Sequence, residues 1–172
     1  MAVLKIRYEG DPVLRQKATK LPKIDASVRT LADDMWETMV AADGVGLAAP
    51  QIGLARRLIV VHVPAGYDHD DDPEFAFKLA NPEIIKAFGE QSGIEGCLSI
   101  PGWIGEVPRA EAVTVKAVDM DGRQIRIKAS GRLAVVLQHE IDHLDGILYT
   151  DRMTDMSTLR KVSDEEYEEV AE

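Results

Sequence analysis

The stretch that decides the fold runs from Ala112 to Gly146, AVTVKAVDMDGRQIRIKASGRLAVVLQHEIDHLDG. In its first half Val113, Val115 and Ala117 alternate with polar residues, Asp121-Gly122 marks a turn, and Ile125 and Ile127 resume the alternation. That pattern predicts a β-hairpin over 112–129. The second half changes period. From Gly131 to Asp145 the apolar residues recur at helical spacing, and Gly146, free to take positive φ, suits the helix C-terminus. This helix carries Gln138-His139-Glu140-Ile141-Asp142-His143. Residues four apart lie one above the other on a helix, so His139 and His143 can present two imidazole nitrogens to one metal ion, with Glu140 beside its open side. The bland alternative is a pair of surface histidines.

Outward from that core, Val28, Leu31, Ala32, Met35 and Met39 recur at three- and four-residue spacing, which predicts an amphipathic helix over 26–42, stopped by Gly44. A Gly/Pro-punctuated loop follows from Gly44 to Gly53, then a short apolar strand from Arg57 to Val63. Further strands are expected at Ala76 to Ala80 and Ile84 to Phe88, and a last helix from near Asp155. Strands gathered between helices without regular alternation predict an α+β architecture, its sheets mostly antiparallel or mixed, packed around a central metal-binding helix. With no internal repeat or low-complexity linker, residues 1–172 read as a single domain.

Composition narrows the function. At 45% hydrophobic and 29% charged, the chain has the balance of a globular protein. Its longest apolar runs fall far short of the roughly 20 residues that cross a bilayer, so no membrane association is expected. The first residues lack the apolar stretch and cleavage site of a signal peptide, which predicts a cytoplasmic protein. With 30 acidic against 20 basic residues, a net charge of -10 argues against specific nucleic-acid binding through a broad basic face. The acidic runs from Asp68 to Asp72 and from Asp164 to Glu172 read as solvated surface. The single cysteine, Cys97, cannot form an internal disulfide, so its thiol is either a small buried hydrophobe or a ligand.

A catalytic metal site needs a third protein ligand and an exchangeable water. One protease class takes a further histidine in His-Glu-x-x-His-x-x-Gly-x-x-His, but Tyr149 stands at that final position. Another takes a later glutamate, for which Glu165 and Glu166 are available. Cys97 is the third candidate. A domain that keeps a metal purely for stability is a further alternative, needing neither Glu140 nor an open coordination position.

Three segments taken together carry a resemblance: Gly44-Val-Gly-Leu-Ala-Ala-Pro-Gln-Ile-Gly53, Glu95-Gly-Cys-Leu-Ser99 and Gln138-His-Glu-Ile-Asp-His143. In this order and spacing, over residues 44–146, they resemble the three signature motifs of the peptide deformylase family. The resemblance implies removal of the formyl group from the formyl-methionine that begins new bacterial proteins. It implies Cys97, His139 and His143 as metal ligands and Glu140 as the acid/base group. It also places the Gln51 amide and the Leu98 backbone N–H beside the oxygen that gains charge. Gly44, Val45, Gly46, Gly96, Val135 and Val136 are expected to bind substrate, Gly44 and Gly46 by letting backbone approach closely, with a tight turn as the plainer alternative, and the valines, with Leu98, by lining a methionine pocket, with plain core as theirs. The cofactor implied is one divalent metal, ferrous iron, although Cys/His₂ ligation also accepts zinc, nickel or cobalt. The partners implied are N-formylmethionyl peptides and nascent chains. Related deformylases dock on the ribosome through a basic C-terminal helix, and the acidic end of this chain predicts weak docking there. The segment Gly102-Trp-Ile-Gly-Glu106 lacks the arginine that some members carry near the pocket mouth, which puts contacts to later substrate residues in doubt.

Overall fold

The computed structural model describes residues 1–163; the expectations placed on 164–172 lie outside the described residues. Helix α1 spans Ala26–Ala41, with the Asp25 carboxylate accepting from the Val28 N–H at 3.0 Å as its N-cap. Its apolar stripe, Val28, Ala32, Met35 and Met39, is fully buried. The turn that ends it falls one residue earlier than expected, at Asp43 (φ 56), a residue type that tolerates the left-handed region.

Strands β1 (Gly46–Ala48), β2 (Leu58–Val63), β3 (Phe75–Phe88), β6 (Ala112–Val118) and β7 (Gln124–Ser130) form a five-stranded sheet in the order β1-β2-β3-β6-β7. Strands β4 (Gln91–Cys97), β5 (Ile100–Arg109) and β8 (Arg160–Lys161) form a second sheet in the order β4-β5-β8, and every ladder in both sheets is antiparallel. Helix α2 spans Gly131–Leu144 and ends at Gly146, whose φ of 73 is the left-handed turn expected there. The α+β architecture with antiparallel sheets about this helix is the one the hairpin and helix predicted.

Strand β2 is buried on both faces, which is why it reads as a continuous apolar run. Leu58 and Val60 pack in the cluster of α1, whereas Ile59, Val61 and Val63 join Val136, Leu137 and Ile141 of α2.

Three expectations are corrected. The Gly44–Gly53 loop contains β1 and a 3₁₀ turn, Ala49–Ile52, because Gly46 to Ala48 pair with Val61 to Ile59. The two strands at 76–80 and 84–88 are one strand, β3, whose ladder with β6 shifts register at two places. At Asn81 (φ 50) its side chain bonds the Leu21 N–H at 2.8 Å and the Leu21 carbonyl at 2.9 Å, fastening the N-terminal segment to the sheet. The helix expected from Asp155 is instead a 3₁₀ turn, Met156–Thr158, followed by β8, with the Asp155 side chain accepting from the Ser157 N–H at 3.0 Å. Among the described residues no helix is long and apolar enough to cross a membrane.

Candidate metal centre

Helix α2 is packed against the sheet and loops so closely that His139, Glu140, Asp142 and His143 are buried, whereas Arg132 and Gln138 keep partial exposure. Cys97, at the end of β4, meets it from the second sheet, and Sγ lies 3.4 Å from His143 Nε2. Ligand atoms of Cys97, His139 and His143 all lie within 4.8 Å of one another, and the three residues are 0%, 2% and 1% exposed. Tetrahedral coordination with metal–sulfur and metal–nitrogen bonds of about 2.3 and 2.0 Å would separate sulfur from nitrogen by about 3.5 Å. The donor set and its spacing therefore fit one divalent cation.

The ring nitrogens are assigned by their neighbours. His139 Nδ1 lies 2.8 Å from Glu95 Oε1, which leaves Nε2 as the nitrogen for a metal. Burial disfavours the His139 imidazolium, but hydrogen bonds with Cys97 and Glu95 outweigh it and lift the pKa well above the usual value; a divalent cation held by the same atoms would compete with that proton. Burial, with the charge on His139 next, pushes His143 well below the usual value, towards the neutral imidazole a metal requires.

Glu95 is clamped in turn by Arg109, whose Nε donates to Oε2 at 2.9 Å and Nη2 to Oε1 at 2.8 Å. Burial opposes ionisation of Glu95, yet hydrogen bonds from Arg109 and His139 prevail and hold its pKa at about 2, below the ordinary 4.5. A depressed carboxyl contributes stability that is fully present above the unfolded pKa and lost as pH falls through the folded one. For Glu95 that window runs from about pH 4.5 down to about 2. Urea midpoints of metal-free protein across this window should fall steeply for wild type and less steeply for Glu95→Gln; parallel curves would contradict the assignment.

Glu140 is 0% exposed, with Oε1 3.8 Å from His139 Nε2, next to the metal group. Strand β1 passes so close to it that a Cβ on Gly46 would stand 2.8 Å from Cγ and 2.9 Å from both Cδ and Oε1 of Glu140. Gly46→Ala must therefore displace the carboxylate. We expect metal content to be kept and turnover to fall about a hundredfold, the cost of misplacing a reacting group by about 1 Å. A fully active Gly46→Ala protein would remove the carboxylate from the reaction.

Gln51 lies on the 3₁₀ turn after β1. Its Oε1 accepts from the Ala48 N–H at 2.9 Å, which turns Nε2 towards Cys97 Sγ at 3.6 Å and Ser99 Oγ at 3.1 Å. Leu98 packs against Gly44, where a Cβ would lie 2.8 Å from Leu98 Cδ1. Gly96 sits in β4 opposite Ile104. Val135 lines a cavity of about 690 Å³ that also touches Gly93, Glu95, Val107 and Arg132, whereas Val45 and Val136 are buried in the core between α2 and the five-stranded sheet. The structure thus gathers the three candidate ligands, Glu140, Gln51 and Gly46 at one place, while Val135 lines a separate cavity whose wall includes Glu95.

Sequence reasoning missed Arg109 and Tyr149. Tyr149, which stands where one protease class has its third histidine, stacks on His139 with centroids 6.2 Å apart and donates to the Trp103 carbonyl at 3.2 Å. A stacking role leaves no local signature. Asp68 to Asp72 form part of a loop in which Asp68 pairs with Arg132 at 3.2 Å, as a polar loop would. Glu165 and Glu166, the ligands of the metallopeptidase alternative, lie outside the described residues.

An α+β fold with a buried Cys/His/His group built on and beside one central helix defines a protein with a candidate metal centre, and its similarity to known proteins assigns it to a class of hydrolases. The polypeptide deformylase family matches residues 3–159. The peptide deformylase of Thermomicrobium roseum is 61% identical over 172 residues, covering 100% of this chain and 97% of the relative. The crystal structure of peptide deformylase from Ehrlichia chaffeensis in complex with actinonin superposes with a TM-score of 0.85 at 36% identity, covering 92% of each chain. A Met-Ala-Ser-bound peptide deformylase from Acinetobacter baumannii has a TM-score of 0.83 at 36% identity, over 88% of this chain and 99% of that one. The chain belongs to the peptide deformylase family.

Proposed function

We propose that this protein removes the formyl group from the N-terminal formyl-methionine of newly made proteins, using Cys97, His139 and His143 as metal ligands and Glu140 to move the protons. The observation that carries the reading is the meeting of Cys97 with both histidines of α2 while Glu140 lies buried alongside. A divalent cation held there supplies Lewis acidity towards water and the formyl oxygen. Glu140 accepts the proton of the attacking water and returns it to the departing methionine nitrogen, so that formate and a free amine result. The Gln51 Nε2 amide and the Leu98 backbone N–H donate to the oxygen that gains negative charge as the carbon becomes tetrahedral.

Strands β1 and β4 are both at sheet edges, so each has an unpaired side on which an extended peptide can add its backbone. Gly44, Val45, Gly46 and Gly96 lie on or beside these edges, and the Val135 cavity receives the methionine side chain, with Val136 supporting it from the core. Ferrous iron is our reading of the cation; zinc, nickel and cobalt suit the same donors. The cytoplasm is our reading of its location, and the acidic end at 164–172 would make ribosome docking weak.

The test is formate release from a short formyl-methionyl peptide by protein purified without oxygen, beside the unformylated peptide. Release from the first alone supports the proposal, and its absence in metal-loaded protein overturns it. The iron form should lose activity in air, through oxidation of the metal and of the Cys97 thiolate, while the zinc form persists. Equal decay of both would count against iron.

A further inference from the structure

Behind His139 the chain of polar contacts continues past Glu95 to the surface. Arg109, with 3% of its side chain exposed, also donates through Nη1 to Asp142 Oδ2 at 2.7 Å. The Asp142 side chain, 11% exposed, accepts from Arg152 as well, from Nε to Oδ2 at 3.1 Å and from Nη2 to Oδ1 at 2.9 Å. Arg152 is the end of the series. Its side chain is 49% exposed and, with Asp142, Arg109, Gln138 and Glu90, borders a surface pocket of about 380 Å³. Charges alternate from the solvent inwards: Arg152, Asp142, Arg109, Glu95, then the imidazole of His139.

We propose that Asp142 and Arg152 are positioning residues for the metal centre, acting on His139 through Arg109 and Glu95. The inference rests on the reading of Cys97, His139 and His143 as metal ligands. A guanidinium is planar, so the contact of Arg109 Nη1 with Asp142 fixes the plane in which Nε and Nη2 meet Glu95. The Glu95 carboxylate in turn sets the orientation of the His139 ring through Nδ1. Asp142 can hold Arg109 in that plane only if its own carboxylate is held, and the fork from Arg152 does this. A cluster of buried ion pairs is weak evidence for stability, since desolvation cancels much of the attraction, so stability alone does not explain the arrangement.

The experiment uses full-length protein loaded with cobalt, comparing wild type, Arg152→Ala, Arg152→Lys and Asp142→Asn. It measures cobalt transfer to a chelator, the visible cobalt spectrum and the melting midpoint of metal-free protein. Arg152→Ala should release cobalt about tenfold faster, as loss of a residue supporting a metal ligand does, with an altered spectrum and a near wild-type midpoint. Asp142→Asn should change release and spectrum in the same direction. Arg152→Lys, which cannot form the fork, should fall between wild type and Arg152→Ala. Because the pocket opens on the vacated position, low millimolar guanidinium should slow release from Arg152→Ala, and ammonium should not. Wild-type release and spectrum in Arg152→Ala would overturn the proposal. So would faster release that tracks a fallen midpoint without guanidinium rescue, because that is an ordinary stabilising ion pair. If wild type itself holds no cobalt at Cys97, His139 and His143, the metal reading fails and takes this inference with it.

Discussion

Glu140→Ala is expected to keep a full complement of metal and to lose hydrolysis by a factor of about 10² to 10⁴, the usual contribution of a positioned acid/base group. The carboxylate is wholly buried and sits 3.8 Å from His139 Nε2, yet the group of candidate ligand atoms lying within 4.8 Å of one another comes from Cys97, His139 and His143. On the proposed mechanism, removing it deletes the proton carrier without deleting a ligand. Metal analysis and formate release on the same sample provide the check. Comparable turnover in the variant would show that water is deprotonated elsewhere. Loss of metal would show that Glu140 is itself a ligand.

Cys97→Ala should fail differently. It removes the only thiol in the chain and one of the three candidate ligands, leaving two buried imidazoles with no sulfur donor beside them to share a divalent charge. Metal content after dialysis should fall to a small fraction of wild type, and formate release should fall with it. The Gln51 amide loses its contact at 3.6 Å in the same variant, but Ser99 Oγ at 3.1 Å keeps the side chain in place. Full metal occupancy in Cys97→Ala would instead require a ligand from elsewhere, and Glu165 or Glu166 would then return as candidates.

The residues that do local work were legible. Hairpin β6–β7 and helices α1 and α2 announce themselves by periodicity because backbone geometry alone repeats every two residues in a strand and every 3.6 in a helix. The same geometry places His139 and His143 on one face, whatever surrounds them. Strands β4 and β5 were not foreseen. Gly93, Gly96, Pro101, Gly102, Gly105 and Pro108 interrupt the alternation that marks a strand, and their pairing is carried by backbone bonds that leave no side-chain pattern. Strand β8 has only two residues and exists because β5 offers it an edge.

By itself, then, the sequence determined the helix with its two histidines and Glu140, the antiparallel hairpin before it, and the three motifs that mark the family. Each depends on neighbours a few residues away or on residue identity, and neither needs the folded chain. The motifs implied that Cys97 joins the two histidines, and the tertiary structure supplied the contact, 3.4 Å to His143 across 46 residues. It alone set the closeness of Gly46 to Glu140, the stacking of Tyr149 on His139 and the burial of Arg109 between Glu95 and Asp142. A charged side chain is stable in the interior only when distant parts of the chain bring it a partner, and local sequence does not encode which parts will meet.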